Sequence, residues 1–211
     1  MERSEIIDKL KQAREASKAR NFKQTWDFSV IVKGINLKKP ENRFSSDLAL
    51  PNSRGKAVKV AAIVDTLASE AKGKAGLVIK KEEIEPLAKD RKRLKGIARE
   101  HVFIAEASLM PLVGKFMGSV LGPQGKLPRP VPPKAKIEPF IMAAQKNVRI
   151  VLKENPVINV VVGSEEMKDE DVAANTEAAY NLIRDRLPKG ANNIRKAYIK
   201  LTMGKPVRLG V

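Results

Sequence analysis

Apolar residues in this chain follow two different rules, and the change between them is abrupt. Around Thr25 to Lys33 they alternate. Trp26, Phe28, Val30 and Val32 fall on one side, and Asp27, Ser29, Ile31 and Lys33 on the other. A period of two marks a strand with one face on a core and one face open. From Val58 the rule changes. V-K-V-A-A-I-V-D, A-G-L-V-I and H-V-F-I-A-E-A are nearly continuous apolar runs. A short helical segment separates the first two, and a charged helix from Lys81 to about Glu100 precedes the third. Strands covered on both faces have this composition, and strand–helix alternation builds a parallel sheet between helices. Alternation returns near the C-terminus, where Ala197, Ile199, Leu201 and Met203 share one face and Lys196, Tyr198, Lys200 and Thr202 the other. The simplest architecture is a discontinuous α+β domain made from both ends, 1–59 plus 149–211. An α/β domain of Rossmann-like, parallel-sheet type is inserted at 60–148. Insertion is tolerated where two chain crossings lie close together. Crossings near Lys59 and Val148 would then act as a hinge.

The ends supply the remaining pieces of the α+β domain. Ile6, Leu10, Ala13 and Ser17 make a narrow apolar stripe on a helix whose other face carries Lys9, Lys11, Arg14, Lys18 and Arg20. S-S-D-L-A-L-P-N is a second, shorter strand, and N-S-R-G-K at 52–56 is a turn. V-R-I-V-L, K-E-N-P and V-I-N-V-V-V-G together predict a β-hairpin. The acids at 169–171 sit at a helix start, where the dipole favours them. Val172, Thr176, Ala179, Ile183 and Leu187 form that helix's core stripe.

Charge narrows the partners. The 211 residues hold 41 Lys and Arg against 24 Asp and Glu, a net charge of +17. Such an excess favours polyanions. It is not concentrated at one end: residues 150–211 carry 10 basic and 8 acidic side chains, so a basic surface must be assembled from separate parts of the chain. The densest run is K-D-R-K-R-L-K at 89–95, which on a helix points around most of the circumference. Cysteine is absent and His101 is the only histidine, which leaves no disulfide framework, thiolate chemistry or His-rich metal centre. No G-x-G-x-x-G follows the first apolar strand and no G-x-x-x-x-G-K-[ST] occurs, so the nucleotide-binding readings of a parallel sheet fail on spacing. No cofactor is expected, and no catalytic set has credible spacing. No apolar run approaches the roughly 20 residues needed to span a bilayer. The first residues, M-E-R-S-E-I-I-D, are acidic and amphipathic, unlike a signal peptide. A soluble, intracellular protein that makes no membrane contact is the expectation.

Val113 to Pro133 holds four glycines and five prolines, with Lys115, Lys126 and Arg129 and no acid. It predicts a rigid basic surface loop around a G-P-Q-G turn. Within it, M-G-S-V-L-G-P-Q-G-K-L-P-R-P resembles the signature loop of the ribosomal protein L-one family, which carries arginine where Gln124 stands here. T-M-G at Thr202 to Gly204 is a second match, and F-K-Q-T before the first strand a third. The resemblance covers nearly the whole chain and is closer to the archaeal type.

The resemblance implies the same split into two domains, with open and closed arrangements. It implies a monomer within the cytoplasmic ribosome, bound to large-subunit rRNA at the mobile stalk. Exit-site tRNA would be a partner during release of deacylated tRNA, and the protein would repress its own mRNA through a mimic of the rRNA site. T-M-G would be the centre of the rRNA contact, with Phe22 in the same patch. Thr202 would hydrogen-bond ribose or phosphate, Met203 and Phe22 would pack on sugars, and Gly204 would allow close approach. Lys196 and Lys200 would set register on phosphates. Lys126 and Arg129 would form a basic loop on the inserted domain. Aromatic residues are 4% of the chain, too few for reading single strands by stacking. Recognition by shape, 2′-hydroxyls and phosphates fits better. Two alternatives stay open at this point: an enzyme acting on a phosphorylated substrate, and a repressor or nucleic-acid chaperone that works off the ribosome.

Overall fold

The computed structural model describes residues 2–55, 58–133 and 135–210. The chain divides into two compact units: Met1–Lys56 with Lys146–Val211, and Ala57–Gln145. The last residue of the turn expected at 52–56, Lys56, lies outside the described residues.

Unit 1 begins with α1 (Arg3–Glu15), β1 (Thr25–Val32) and β2 (Phe44–Ala49). The stripe on α1 is narrow: Ile6, Leu10 and Ala13 are buried. Trp26, Phe28, Val30 and Val32 bury one face of β1, as period-two alternation requires.

Unit 2 follows with β3 (Lys59–Ile63), α2 (Ala68–Ala71), β4 (Leu77–Ile79), α3 (Ile84–Lys89), α4 (Arg91–Glu100) and β5 (His101–Glu106). It closes with α5 (Met110–Leu121), β6 (Arg129–Val131) and α6 (Ile137–Lys146). Four parallel strands run in the order β4-β3-β5-β6. A buried cluster fills each face. One gathers Ala61, Ile63, Phe103 and Ala105 with Leu94, Val113 and Met117, and the other Val60, Ala62 and Ile104 with Ile137 and Ile141. The inserted α/β class read from the continuous apolar runs is the one the chain adopts.

Three local expectations for unit 2 need correction. The helix expected from Lys81 to Glu100 is broken at Asp90, whose carboxylate leaves α3 and accepts the Arg93 amide at 3.0 Å, capping α4. Val113 to Leu121 is helical, not loop. Buried Val113, Met117, Val120 and Leu121 give α5 its core stripe, and that burial outweighs the helix cost of Gly114 and Gly118. Finally, Arg129–Val131 adds a fourth strand that its two flanking prolines disguise. Pro130 is tolerated because β6 is an edge strand.

The crevice at the carboxyl ends of β3 and β5, where the strand order reverses, is where such sheets bind phosphate ligands. Here Glu106 occupies it and is 2% exposed. Its Oε2 accepts the amides of Asp65 (3.0 Å) and Thr66 (3.2 Å), and its Oε1 the hydroxyls of Thr66 (2.9 Å) and Ser108 (3.2 Å). The donors a phosphate would use are taken up by the protein's own carboxylate.

The chain returns to unit 1 with β7 (Asn147–Leu152), β8 (Val157–Ser164), α7 (Asp169–Arg186), β9 (Ile194–Leu201) and β10 (Val207–Leu209). Its main sheet is antiparallel, in the order β10-β9-β1-β8. The hairpin expected from β7 and β8 does not form. β8 pairs with β1, and β7 pairs with β2 in a separate two-stranded sheet. Helices α1 and α7 supply buried Ile6, Leu10, Val172, Ala179 and Ile183 to the core that covers the inner face of the main sheet.

Candidate nucleic-acid interface

The outer face of the main sheet carries no such apolar stripe. On β9, Lys196, Tyr198 and Lys200 are half-buried while Ala197, Ile199 and Leu201 are buried. Register places Tyr198 between Arg208 of β10 and Ser29 of β1, with Asn159 of β8 beyond. The Ser29 hydroxyl donates to Asn159 Oδ1 at 2.8 Å. Lys196 lies opposite Ile31 and Lys200 opposite Asp27. Burial pushes the Asp27 carboxyl above its ordinary value, and the neighbouring Lys200 ammonium pulls it back. Lys200 is therefore partly compensated within the sheet.

Beyond Leu201 the alternation stops, so Met203 does not continue the buried face as its sequence position suggests. The chain turns, closed by the Gly204 amide donating to Leu201 O at 2.9 Å, and Met203 is 60% exposed. This turn is bound to the segment before β1. The Thr202 amide donates to Thr25 O at 3.1 Å, and the Thr25 amide donates to Thr202 Oγ1 at 3.0 Å. The two hydroxyl oxygens are 3.0 Å apart. The Met203 amide donates to Gln24 Oε1 at 3.1 Å. Gln24 is fully buried, and its backbone also exchanges hydrogen bonds with Glu165.

Phe22 stands two residues before Gln24, within about 7 Å along the chain, and is 51% exposed. Exposed Phe22 stands three residues before Thr25 in the chain, and exposed Met203, the Thr25 and Thr202 hydroxyls and the turn share one corner of unit 1. Arg14 steadies its rim, donating to Glu165 O at 2.8 Å and to Asp169 at 2.7 Å, with its guanidinium 5.5 Å from the Trp26 ring centre. The cleft at Phe22 is of mixed charge: Arg20 and Lys23 line it with Glu165 and Glu166, and Lys23 pairs with Glu166 at 2.9 Å. Gly204 has a reason of its own to be glycine. A Cβ there would lie 3.2 Å from Leu201 Cβ and 3.3 Å from Ser17 Oγ.

Residues 11–205 match the profile of the ribosomal protein L1p/L10e family. The chain belongs to that family. It is similar to proteins named large ribosomal subunit protein uL1 along nearly its full length. Identity is 44% over 211 residues with that of Methanocaldococcus jannaschii, covering 99% of this chain and 96% of the relative. It is 46% over 208 residues with that of Methanothermobacter thermautotrophicus, covering 97% and 98%. With that of Pyrococcus horikoshii it is 44% over 211 residues, covering 99% and 96%. The family match runs through both chain crossings, so unit 2, most of unit 1 and the Thr202–Gly204 turn lie inside it.

The family chain brings Phe22, Thr202, Met203 and Gly204 to one corner, with Lys196 and Lys200 on the adjoining sheet face. Lys126 and Arg129 belong to unit 2. There Lys126 Nζ donates to His101 O at 3.2 Å and Arg129 pairs with Ile104 across β5 and β6, so both are tied into the sheet. Sequence reasoning missed Thr25 and Gln24, the residues that hold the turn in place. The F-K-Q-T match contains both, but the register that aligns Thr25 with Thr202 spans 177 positions.

Proposed function

We propose that this chain is a structural component of the large ribosomal subunit that grips folded rRNA through the corner of unit 1. The observation that carries the reading is the pairing of Thr25 with Thr202, with exposed Met203 next to Thr202 and exposed Phe22 three residues before Thr25. In water, two large apolar side chains flanking hydroxyls are an unfavourable surface; against ribose they are complementary. The hydroxyls of Thr25 and Thr202 offer hydrogen bonds to 2′-hydroxyls or phosphate oxygens, and Lys196 supplies a cation on the sheet face alongside. Few aromatics and a net charge of +17 favour shape and backbone recognition over base stacking. This is binding chemistry, and no catalytic step is assigned. The resemblance further supports exit-site tRNA as a second partner during release of deacylated tRNA, and the protein's own mRNA as a repression target. Movement of 60–148 about the two crossings would serve the first.

Thr202→Val should weaken binding to a large-subunit rRNA fragment by about 1–3 kcal/mol. Thr202→Ser, which keeps Oγ, should stay near wild type. Filter or fluorescence titration checks this, with thermal melting as the control for fold. Equal affinity of Thr202→Val and wild type would remove Thr202 from the interface.

A further inference from the structure

Helix α4 sorts its charges onto two faces. Asp90, Arg93 and Ile97 line a cleft on the β4 side together with Glu82 and Glu83. Arg91 and Lys95, one turn apart and therefore on one face, line a different cleft with Ser119, Val120, Pro123 and Gln124. The first cleft holds three acids and one cation; the second holds two cations, a hydroxyl and an amide, and no acid. Among the described residues neither Arg91 nor Lys95 has an ion-pair partner, whereas Lys89, the last residue of α3, is paired with Glu85 at 3.2 Å.

The far wall of the second cleft is fixed. Gly125, at φ +65°, closes the G-P-Q-G turn with its amide on Gly122 O at 2.9 Å. The Lys126 amide donates to Leu121 O at 3.0 Å, and the Lys126 side chain to His101 O at 3.2 Å. Gln124 and Ser119 therefore face the two cations from a wall that is tied to both α5 and β5. Cations on one wall and neutral donors on the other suit one chemistry, an anionic oxygen cluster held by charge and oriented by hydrogen bonds.

We propose that this cleft is an RNA-backbone contact belonging to unit 2, with Arg91 and Lys95 neutralising a phosphodiester and Ser119 and Gln124 donating to its oxygens. It is separate from the corner of unit 1 and gives the chain a second RNA-binding surface. The proposal rests on the reading of the protein as an rRNA-bound component, and its test leaves that reading independently measurable.

The test uses the full chain already bound to its rRNA fragment, titrated with a fluorescent 12-base-pair RNA duplex. Arg91→Gln with Lys95→Gln should lower duplex affinity about tenfold at low salt. It should also reduce the log–log salt slope by about 1–2, near 0.9 per phosphate for double-stranded nucleic acid. Affinity for the rRNA fragment should not change. Gln124→Arg, which adds a third cation to the cleft, should tighten the duplex several-fold. Lys80→Gln with Lys81→Gln removes the same charge elsewhere in unit 2 and should have little effect.

Because the chain lacks cysteine, Ser119→Cys gives a single thiol whose alkylation the duplex should slow several-fold. Equal losses from the two double variants, no duplex binding by wild type, or an unprotected thiol would each overturn the proposal. So would inorganic phosphate, at fixed ionic strength, protecting the thiol when the duplex does not, since the cleft would then serve free phosphate. Loss of rRNA-fragment binding in Thr202→Val bears only on the unit 1 corner.

Discussion

Gly55→Ala will destabilise unit 1 by about 2–6 kcal/mol. Two penalties act together. Gly55 has φ +74°, a left-handed conformation that costs a non-glycine residue about 1–3 kcal/mol. A Cβ would also collide with Ser164 Cβ, and would lie 2.8 Å from Met167 Sδ and 3.0 Å from the Ser164 amide nitrogen. The sulfur could move; the backbone could not. Ser164 ends β8 and is paired with Thr25 at the start of β1, next to the corner proposed to contact RNA. Forced expansion of packed structure costs about 1–3 kcal/mol more. Trp26 is the only tryptophan and lies fully buried in unit 1, so its fluorescence in a urea titration reports this unit directly. A midpoint indistinguishable from wild type would mean that the backbone at 55 relaxes freely. If the strain spreads along β8 into β1, rRNA affinity should fall as well, although Gly55 is not among the proposed contacts.

What the sequence disclosed depended on whether the deciding interaction was local. The Trp26–Val32 alternation needs only the pleat, and it survives intact in β1. Helix α6 also buries one local stripe, Ile137, Ile141 and Ala144. The continuous runs at β3 and β5 likewise fixed the α/β class. Errors arose where a distant partner competed. Strands β7 and β8 are joined by a short polar link, which favours a hairpin, but each finds its partner about 100 or more positions away, at β2 and β1. The glycines at 114 and 118 argue for loop until the burial of Val113, Met117 and Leu121 is counted, and that burial exists only because β3 and β5 supply the floor. At the candidate site the residue types were visible and their assembly was not. Thr202, Met203 and Phe22 stood out as a family match, while the dependence of Met203 on Gln24 rests on one side-chain hydrogen bond across 179 positions.

Glu106→Ala will destabilise unit 2 by about 3–5 kcal/mol, and Glu106→Gln by less, about 1–2 kcal/mol. The carboxylate is the shared acceptor for two backbone amides and two hydroxyls at the ends of β3 and β5. Alanine leaves the Asp65 and Thr66 amides without that acceptor, at about 1–3 kcal/mol for each group so orphaned. Glutamine keeps an oxygen for those amides and turns its NH2 toward hydroxyls that can rotate to accept. Burial pushes the Glu106 carboxyl up, but its hydrogen bonds to Asp65, Thr66 and Ser108 win and hold it below the ordinary value of 4.5. The sign of the pH effect follows. A folded-state pKa below the unfolded one stabilises the protein above the unfolded value and loses that contribution as pH falls through the folded value. Unit 2 of wild type should therefore weaken more than Glu106→Gln does as pH falls below the ordinary value of 4.5. Unit 2 has no tryptophan, so hydrogen exchange at the β3 and β5 amides is the measurement, and Trp26 fluorescence serves as the control for unit 1. The same acid sensitivity in wild type and Glu106→Gln would mean that Glu106 is not the group that titrates.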